Sequence, residues 1–258
     1  MPRFAANLSM MFADRPFKDR FRAAADAGFK HVEYLFPYEY PAEALKRLLD
    51  DNGLKQVLFN TAPGDAAQGE WGLAAIPGRE DEAGRHAEQA LAYARVLQCP
   101  QVHIMAGVVP EGVERQACLA TFVQNIRRAS ELFREHGVRI MLEALSPQVK
   151  PGYLLRSQHD TLEVVELIGC DNVFVQFDYF HAQNVDGNLS RMTEKMIGRI
   201  GHVQVASVPE RHEPDEGEVN YAHVFALLDR LGYEGYVGCE YNPRGRTEEG
   251  LDWVKPYL

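Results

Sequence analysis

Short apolar runs alternate with longer amphipathic stretches along the chain, and this alternation repeats eight times. Short runs of this kind are typical of buried strands, and apolar positions that recur at helical spacing indicate helices. We predict strands at 3–8, 30–35, 54–60, 101–106, 138–143, 173–178, 202–206 and 235–240. We predict helices at 16–27, 41–52, 80–97, 112–136, 157–169, 188–199, 221–232 and 247–254.

This order of elements predicts a closed barrel. Strands that alternate with helices pair in parallel, and eight strand–helix units are typically completed in about 250 residues. The chain has 258 residues. Pro16 and Gly28 flank the first helix as expected, and Pro41 and Gly53 flank the second. We therefore predict an α/β fold, a (β/α)8 TIM barrel formed by one domain over residues 1–258.

Four consecutive predicted strands end in an oxygen-bearing side chain that faces the barrel interior. These residues are Glu143, Asp178, Gln204 and Glu240. Barrel interiors are normally apolar, and carboxylates that converge there repel each other and lose hydration. A divalent cation removes this problem, and an all-oxygen ligand set suits a hard ion. The pattern predicts a site for Mg²⁺, or alternatively Mn²⁺, at the carboxyl-terminal mouth of the barrel.

Two loops at the same mouth carry candidate substrate-binding residues. His181, three residues after Asp178, can donate a hydrogen bond to a substrate oxygen or can cap its loop. Arg211 and His212 lie in the long loop 207–220. A guanidinium there is a natural partner for a substrate carboxylate, although an arginine in a loop can also be a solvated charge.

Further candidates for substrate binding come from the other strand ends and from the loop 61–79. His103 is predicted either as a ligand or as a core histidine, and Trp71 either as a wall over the substrate or as packing within its loop. The remaining candidates are Asn7, Glu33 and Asn60.

Charge and composition narrow the partners. With 27 basic and 37 acidic residues, the chain has a net charge of −10, which disfavours nucleic acid as a partner. The four cysteines form no CxxC pair, and no apolar run reaches the length of a membrane span. We expect a cytoplasmic protein with no membrane partner, and we leave a homo-oligomer open.

Several longer segments resemble the bacterial hydroxypyruvate isomerase family, a branch of the xylose isomerase-like TIM barrels that includes 2-oxo-tetronate isomerases. The similar segments are RFAANLSMMF, LFNTAPGD, GEWGLAAIPGR, LEALSP, FDYFHAQ, RHEPDEGEVNY and CEYNPRGRTEEGL, so the resemblance covers the whole chain.

The resemblance implies roles for particular residues. It implies that Glu143 and Glu240 are the catalytic pair and that they bind the metal together with Asp178 and Gln204. Tyr179 and Asn242 depart from the family pattern, in which a smaller residue and a lysine are common. Asn242 has the same parity as Glu240, so we expect it to contact the substrate.

The resemblance implies a small hydroxy-keto acid as substrate and a metal-dependent aldose–ketose type isomerisation through an enediolate. Hydroxypyruvate would give tartronate semialdehyde, and the alternative is conversion of a four-carbon 2-oxo-tetronate into its 3-oxo isomer. A nuclease is a distant alternative, because an apurinic endonuclease family shares this barrel, but such enzymes need several histidines for a zinc cluster and a basic surface for DNA. A sugar-acid-binding barrel without catalysis would not require two acids around one carbon.

Overall fold

The computed structural model of the chain describes residues 2–258. This part of the chain forms eight parallel strands in the order β3-β2-β1-β8-β7-β6-β5-β4. The strands are β1 (Arg3–Asn7), β2 (His31–Glu33), β3 (Lys55–Leu58), β4 (Gln101–His103), β5 (Arg139–Glu143), β6 (Val173–Asp178), β7 (Ile200–Val205) and β8 (Tyr236–Cys239). Each strand overlaps a predicted one.

Backbone hydrogen bonds between the ends of β3 and β4 close the sheet into a barrel. Asn60 pairs with His103 in a parallel bridge. The His103 amide donates to the Phe59 carbonyl at 2.9 Å, and the His103 carbonyl accepts from the Thr61 amide at 2.9 Å. The predicted xylose isomerase-like barrel fold is therefore confirmed.

Helices surround the barrel and bury their apolar faces against the outer surface of the strands. Most of the buried hydrophobic side chains form one cluster between the strands and the helices. The helices are α1 (Phe17–Asp26), α2 (Ala42–Asp51), α3 (Glu80–Leu97), α4 (Arg115–Arg134), α5 (Gln158–Ile168), α6 (Tyr179–Val185), α7 (Leu189–Met196) and α8 (Tyr221–Arg230). Among residues 2–258, no helix combines the length and the apolar composition that a bilayer crossing requires.

The prediction of an α-helix at 247–254 is wrong. Two short 3₁₀ turns, Thr247–Gly250 and Lys255–Tyr257, take its place. The buried Thr247 hydroxyl accepts a hydrogen bond from the Phe12 amide at 2.6 Å. A Cβ atom at Gly250 would collide with the Glu213 carboxylate. These two contacts hold the segment against the barrel in a tighter conformation than an α-helix.

Side-chain alternation divides the barrel interior into an apolar and a polar layer. A small separate cluster, which includes Ala5, Val57 and Met141 with Phe174 and Tyr236 against it, fills the amino-terminal part of the interior. Two positions further along the strands, the inward side chains become polar. The polar layer at the mouth therefore packs directly on the apolar layer of the interior.

Candidate active site

The ends of β5 to β8 bring the four predicted metal ligands into the mouth of the barrel. Glu143 ends β5 and Asp178 ends β6. Gln204 is paired with Asp178 in the register of β7, and Glu240 follows β8 directly. All four side chains are buried, so their polar groups need partners within the site.

The carboxyl groups of this set affect each other's protonation. Burial raises the pKa of Glu143 well above its usual value, and the Glu240 and Asp178 carboxylates raise it further. Burial raises the pKa of Glu240 to about 8, although Arg211 acts in the opposite direction. The pKa of Asp178 is also raised by burial. Three acids that are this close and this desolvated repel each other when ionised, and positive charge between them would relieve the repulsion.

Arg211 supplies part of that positive charge. Its Nη2 atom lies 3.1 Å from Glu240 Oε2 and 3.5 Å from Asp178 Oδ2. The guanidinium also lies over the Phe180 ring, 4.8 Å from the centroid. The Arg211 carbonyl accepts from the Asn242 amide at 2.8 Å, which ties the loop to the end of β8. Arg211 therefore balances two of the three acids directly.

The residues around Glu143 fit a divalent cation. Ligand atoms of Glu143, Asp178 and His181 lie within 4.8 Å of one another, and the predicted ligand Glu240 is not part of this group. Glu143 Oε1 is buried without a hydrogen-bond partner among residues 2–258, so it can accept a further ligand bond. Oxygen atoms of this kind are the ligands that Mg²⁺ and Mn²⁺ prefer.

His181 fits a different role from that of the two carboxylates. The Ser146 amide donates to His181 Nδ1 at 3.1 Å, which places the ring proton on Nε2. The pKa of His181 is held well below its usual value by burial and by Arg211, so the ring is neutral. Nε2 lies 3.6 Å from Asp178 Oδ2 and has no hydrogen-bond partner within the described chain. A neutral ring with an unused N–H is suited to donate to a substrate oxygen.

Gln204 is oriented by a buried network that begins at Glu33. Gln204 Nε2 donates to Glu33 Oε1 at 2.9 Å, and Gln204 Oε1 accepts from Gln176 Nε2 at 2.7 Å. Glu33 also accepts from Asn7 Nδ2 at 3.0 Å and from His202 Nε2 at 2.7 Å. The amide nitrogen of Gln204 therefore faces Glu33, and its oxygen faces β6.

Two other candidates from the sequence lie beside this set. His103 Nδ1 is 3.5 Å from Glu143 Oε2, and burial lowers the pKa of His103 to about 3, so a neutral imidazole lies against the catalytic candidate. Asn60 is buried next to it at the closure of the barrel.

The remaining candidates lie further out or are bound by protein groups. Asn7 donates to Glu33 and accepts from the Ser9 amide, so both ends of its amide have protein partners. His212 Nδ1 pairs with the Asn242 carbonyl at 2.7 Å, and the Asn242 side chain is exposed. Trp71 is half-buried at the rim of the mouth. Contact of these residues with a substrate stays a prediction.

A family model described as xylose isomerase-like TIM barrel matches residues 21–257. The chain belongs to this family. The 2-oxo-tetronate isomerase of Haemophilus influenzae is 63% identical over 100% of both chains, and the hydroxypyruvate isomerase of Escherichia coli is 39% identical over 100% of both. A crystal structure described as an AP endonuclease, family 2, from Brucella melitensis superposes with a TM-score of 0.98 at 51% identity, covering 100% of this chain and 99% of that one.

Within the xylose isomerase-like family, the relatives with isomerase names match from end to end. The predicted resemblance to the hydroxypyruvate isomerase group and the assignment to the isomerases are therefore confirmed. The names of these relatives differ in the substrate acid, so the substrate is a separate question.

Sequence reasoning gave no role to three residues that the structure places around this xylose isomerase-like site, although it named Glu33 as a candidate at a strand end. Glu33 and Gln176 orient Gln204, and Ser146 sets the tautomer of His181. Strand parity was the available signal for Gln176, which has the same parity as Asp178. Ser146 lies in a loop, where the sequence pattern does not indicate which way a side chain or an amide points.

Proposed function

We propose that this protein is a 2-oxo-tetronate isomerase, which moves the carbonyl group of a four-carbon 2-oxo acid from C2 to C3. The observation that carries the proposal is the pair of buried carboxyl groups of Glu143 and Glu240, which lie at strand ends in the mouth of the barrel. The four-carbon substrate is preferred to hydroxypyruvate because the 63% identical relative carries that name, whereas the hydroxypyruvate isomerase is 39% identical.

The reaction moves two protons. One glutamate, as carboxylate, removes the proton from C3, and the released electron pair forms a C2–C3 double bond while the C2 oxygen becomes negative. The other glutamate, in its acid form, delivers a proton to C2. The hydroxyl proton of C3 is transferred to the C2 oxygen, so that C3 becomes the carbonyl carbon. Burial raises the pKa of Glu240 to about 8, so this group can hold and release a proton near neutral pH.

The surrounding residues hold the substrate oxygens and the charge that develops on them. His181 donates from Nε2 to a substrate oxygen, and Arg211, already between Asp178 and Glu240, adds a fixed positive charge. Glu143, Asp178, Gln204 and Glu240 would hold a divalent cation, which supplies further positive charge against the negative oxygens of the intermediate.

The substrate assignment predicts a preference for the longer acid. Purified protein with Mg²⁺ should convert 2-oxo-tetronate with a kcat/KM at least about tenfold above that for hydroxypyruvate, because the site would bind the additional hydroxymethyl group. Proton NMR measures both conversions. Equal or faster turnover of hydroxypyruvate would reverse the substrate assignment, and conversion of neither acid, with no C–H exchange in D₂O, would end the isomerase proposal.

Metal removal tests the cation separately. Dialysis against EDTA should lower turnover by at least about 100-fold, and Mg²⁺ or Mn²⁺ should restore it. The melting temperature of the metal-free protein should also rise with added Mn²⁺, since an ion that binds only the folded state stabilises it. Full turnover by protein shown by elemental analysis to be metal-free would contradict the proposal.

The Brucella structure is described as an endonuclease, but the site of this chain favours an isomerase over a nuclease. Within residues 2–258, the one group of side chains suited to hold a metal includes a single histidine. The net charge of −10 also opposes the approach of DNA. Cleavage of abasic DNA by the purified protein at low salt would favour the nuclease instead.

A further inference from the structure

Lys150 lies on a turn that is tied to the candidate active site. In the loop between β5 and α5, the Val149 and Lys150 amides both donate to the Ser146 carbonyl, at 2.9 and 3.0 Å. Ser146 in turn donates its amide to His181 Nδ1. The turn that carries Lys150 is thus fixed, through one residue, to a histidine within the mouth of the barrel.

The side chain of Lys150 lies against the ring of Trp71. Its Nζ atom lies 4.6 Å from the centroid of the Trp71 ring, and the edge of that ring contacts Phe36, which follows β2. Trp71 is held in place by Gly72, which has a φ of +107° and pairs with Ala106 after β4. A Cβ at Gly72 would collide with the backbone of Met105, so the loop can approach this closely only with glycine.

The ammonium of Lys150 has no counter-charge within the protein. Among residues 2–258, no carboxylate lies within ion-pair distance of Lys150, and Nζ makes no hydrogen bond. Lys150 is half-buried. A cation held on an aromatic face, and left without an acid, can accept an anionic ligand without first breaking an ion pair.

The pairing of Arg211 deeper in the site explains why the substrate carboxylate needs a second positively charged side chain. The buried acids are Glu33, Glu143, Asp178 and Glu240, and Arg211 is already paired with two of them. For Arg211 to bind a substrate carboxylate, it would have to give up these pairs. Lys150, over Trp71, carries a positive charge that no carboxylate of the described chain pairs with.

We propose that Lys150, held on Trp71, binds the carboxylate of the substrate and selects 2-oxo acids over neutral ketoses. This inference rests on the proposed function and deepens it, since it names the group that recognises the acid end of the substrate. Arg211 then binds the oxygens at the reacting carbons, and Lys150 binds the carboxylate at C1. Because hydroxypyruvate and 2-oxo-tetronate carry the same carboxylate, Lys150 distinguishes acids from neutral sugars and not one acid from the other.

The test compares an acid with its neutral counterpart. Lys150→Gln should raise KM for 2-oxo-tetronate by about 10- to 100-fold with little change in kcat, as expected for a lost hydrogen bond between charged groups. The kcat/KM for erythrulose, a four-carbon ketose with a hydroxymethyl group in place of the carboxylate, should not fall. Lys150→Arg should recover most of the affinity for the acid. Lys18→Gln is the matched control, since Lys18 also lies over a ring, that of Tyr40 at 5.1 Å, but on α1.

A binding measurement keeps this inference separate from the proposed function. Threonate, a four-carbon acid without a keto group, should bind the wild-type protein and quench or enhance its tryptophan fluorescence, and Lys150→Gln should weaken that binding by a similar factor. Threonate binding that is equal in the wild type and in Lys150→Gln would overturn the role of Lys150, whatever the protein does with 2-oxo-tetronate. Failure to convert 2-oxo-tetronate, with threonate binding still dependent on Lys150, would overturn the proposed function alone.

Discussion

Replacing Glu143 with glutamine is expected to lower kcat for 2-oxo-tetronate by about 10²- to 10⁴-fold, the usual contribution of a positioned acid or base. The same loss is expected for Glu240→Gln, because each glutamate takes part in one of the two proton transfers at carbon. Steady-state kinetics followed by NMR measures both. If either variant keeps more than about a tenth of the wild-type kcat, that glutamate is not a catalytic acid or base.

The glutamine variants should fold, which makes the kinetic result interpretable. Glutamine has the size and shape of glutamate, and its amide oxygen at position 240 can still accept from Arg211, so both variants should keep the fold, which the melting temperature checks. Glu135→Gln provides the control, since Glu135 is exposed at the end of α4. That variant should match the wild type in both rate and stability. Deuterium exchange at C3 in D₂O should be lost with whichever glutamate acts as the initial base.

Replacing Gly238 with alanine is expected to destabilise the protein by about 1–3 kcal/mol, the usual effect of overpacking a buried site. A Cβ at Gly238 would collide with both carboxylate oxygens of Glu33. Glu33 cannot simply turn away, because Asn7, His202 and Gln204 all donate to it. Urea unfolding would measure the loss of free energy, and activity should fall with it because Gln204 loses its orientation.

A second glycine-to-alanine change controls for the backbone. Gly84 lies within α3 and has nothing within 4 Å of the position of an added Cβ. Gly84→Ala should leave stability unchanged or raise it by about 0.5–1 kcal/mol, as alanine favours helix. An equal effect of both changes would show that the Glu33 network has no special part in stability.

The barrel was predictable because its pattern repeats. Eight strands were found from apolar runs, and side-chain alternation correctly placed Gln176 and Asp178 on the inward face and Phe177 on the outward face. Helix α6 was missed because it starts directly after β6, without a turn residue to separate them. Its cap is Asp178, whose Oδ1 accepts from the Phe180 amide at 2.7 Å, so the helix begins at the strand-end acid itself.

The positions of the candidate-site residues could be predicted for those at strand ends. They could not be predicted for those on loops. The ends of β5, β6, β7 and β8 have a common direction in any parallel barrel, so the acids at these ends converge by construction. The pairing of Arg211 with Glu240, and the position of Lys150 over Trp71, depend on the path of irregular loops. Apolar periodicity contains no signal for such paths.

Anomalous diffraction from crystals soaked in Mn²⁺ would test the central claim, that four strand ends meet at one cation. We predict a single strong peak in the mouth, with oxygen atoms of Glu143, Asp178, Gln204 and Glu240 at ligand distances of about 2.0–2.3 Å, and with His181 Nε2 outside them as a hydrogen-bond donor. A peak bound through His181 Nε2 with Gln204 and Glu240 turned away, or no peak in the mouth at all, would contradict the ligand set and with it the proposed isomerisation.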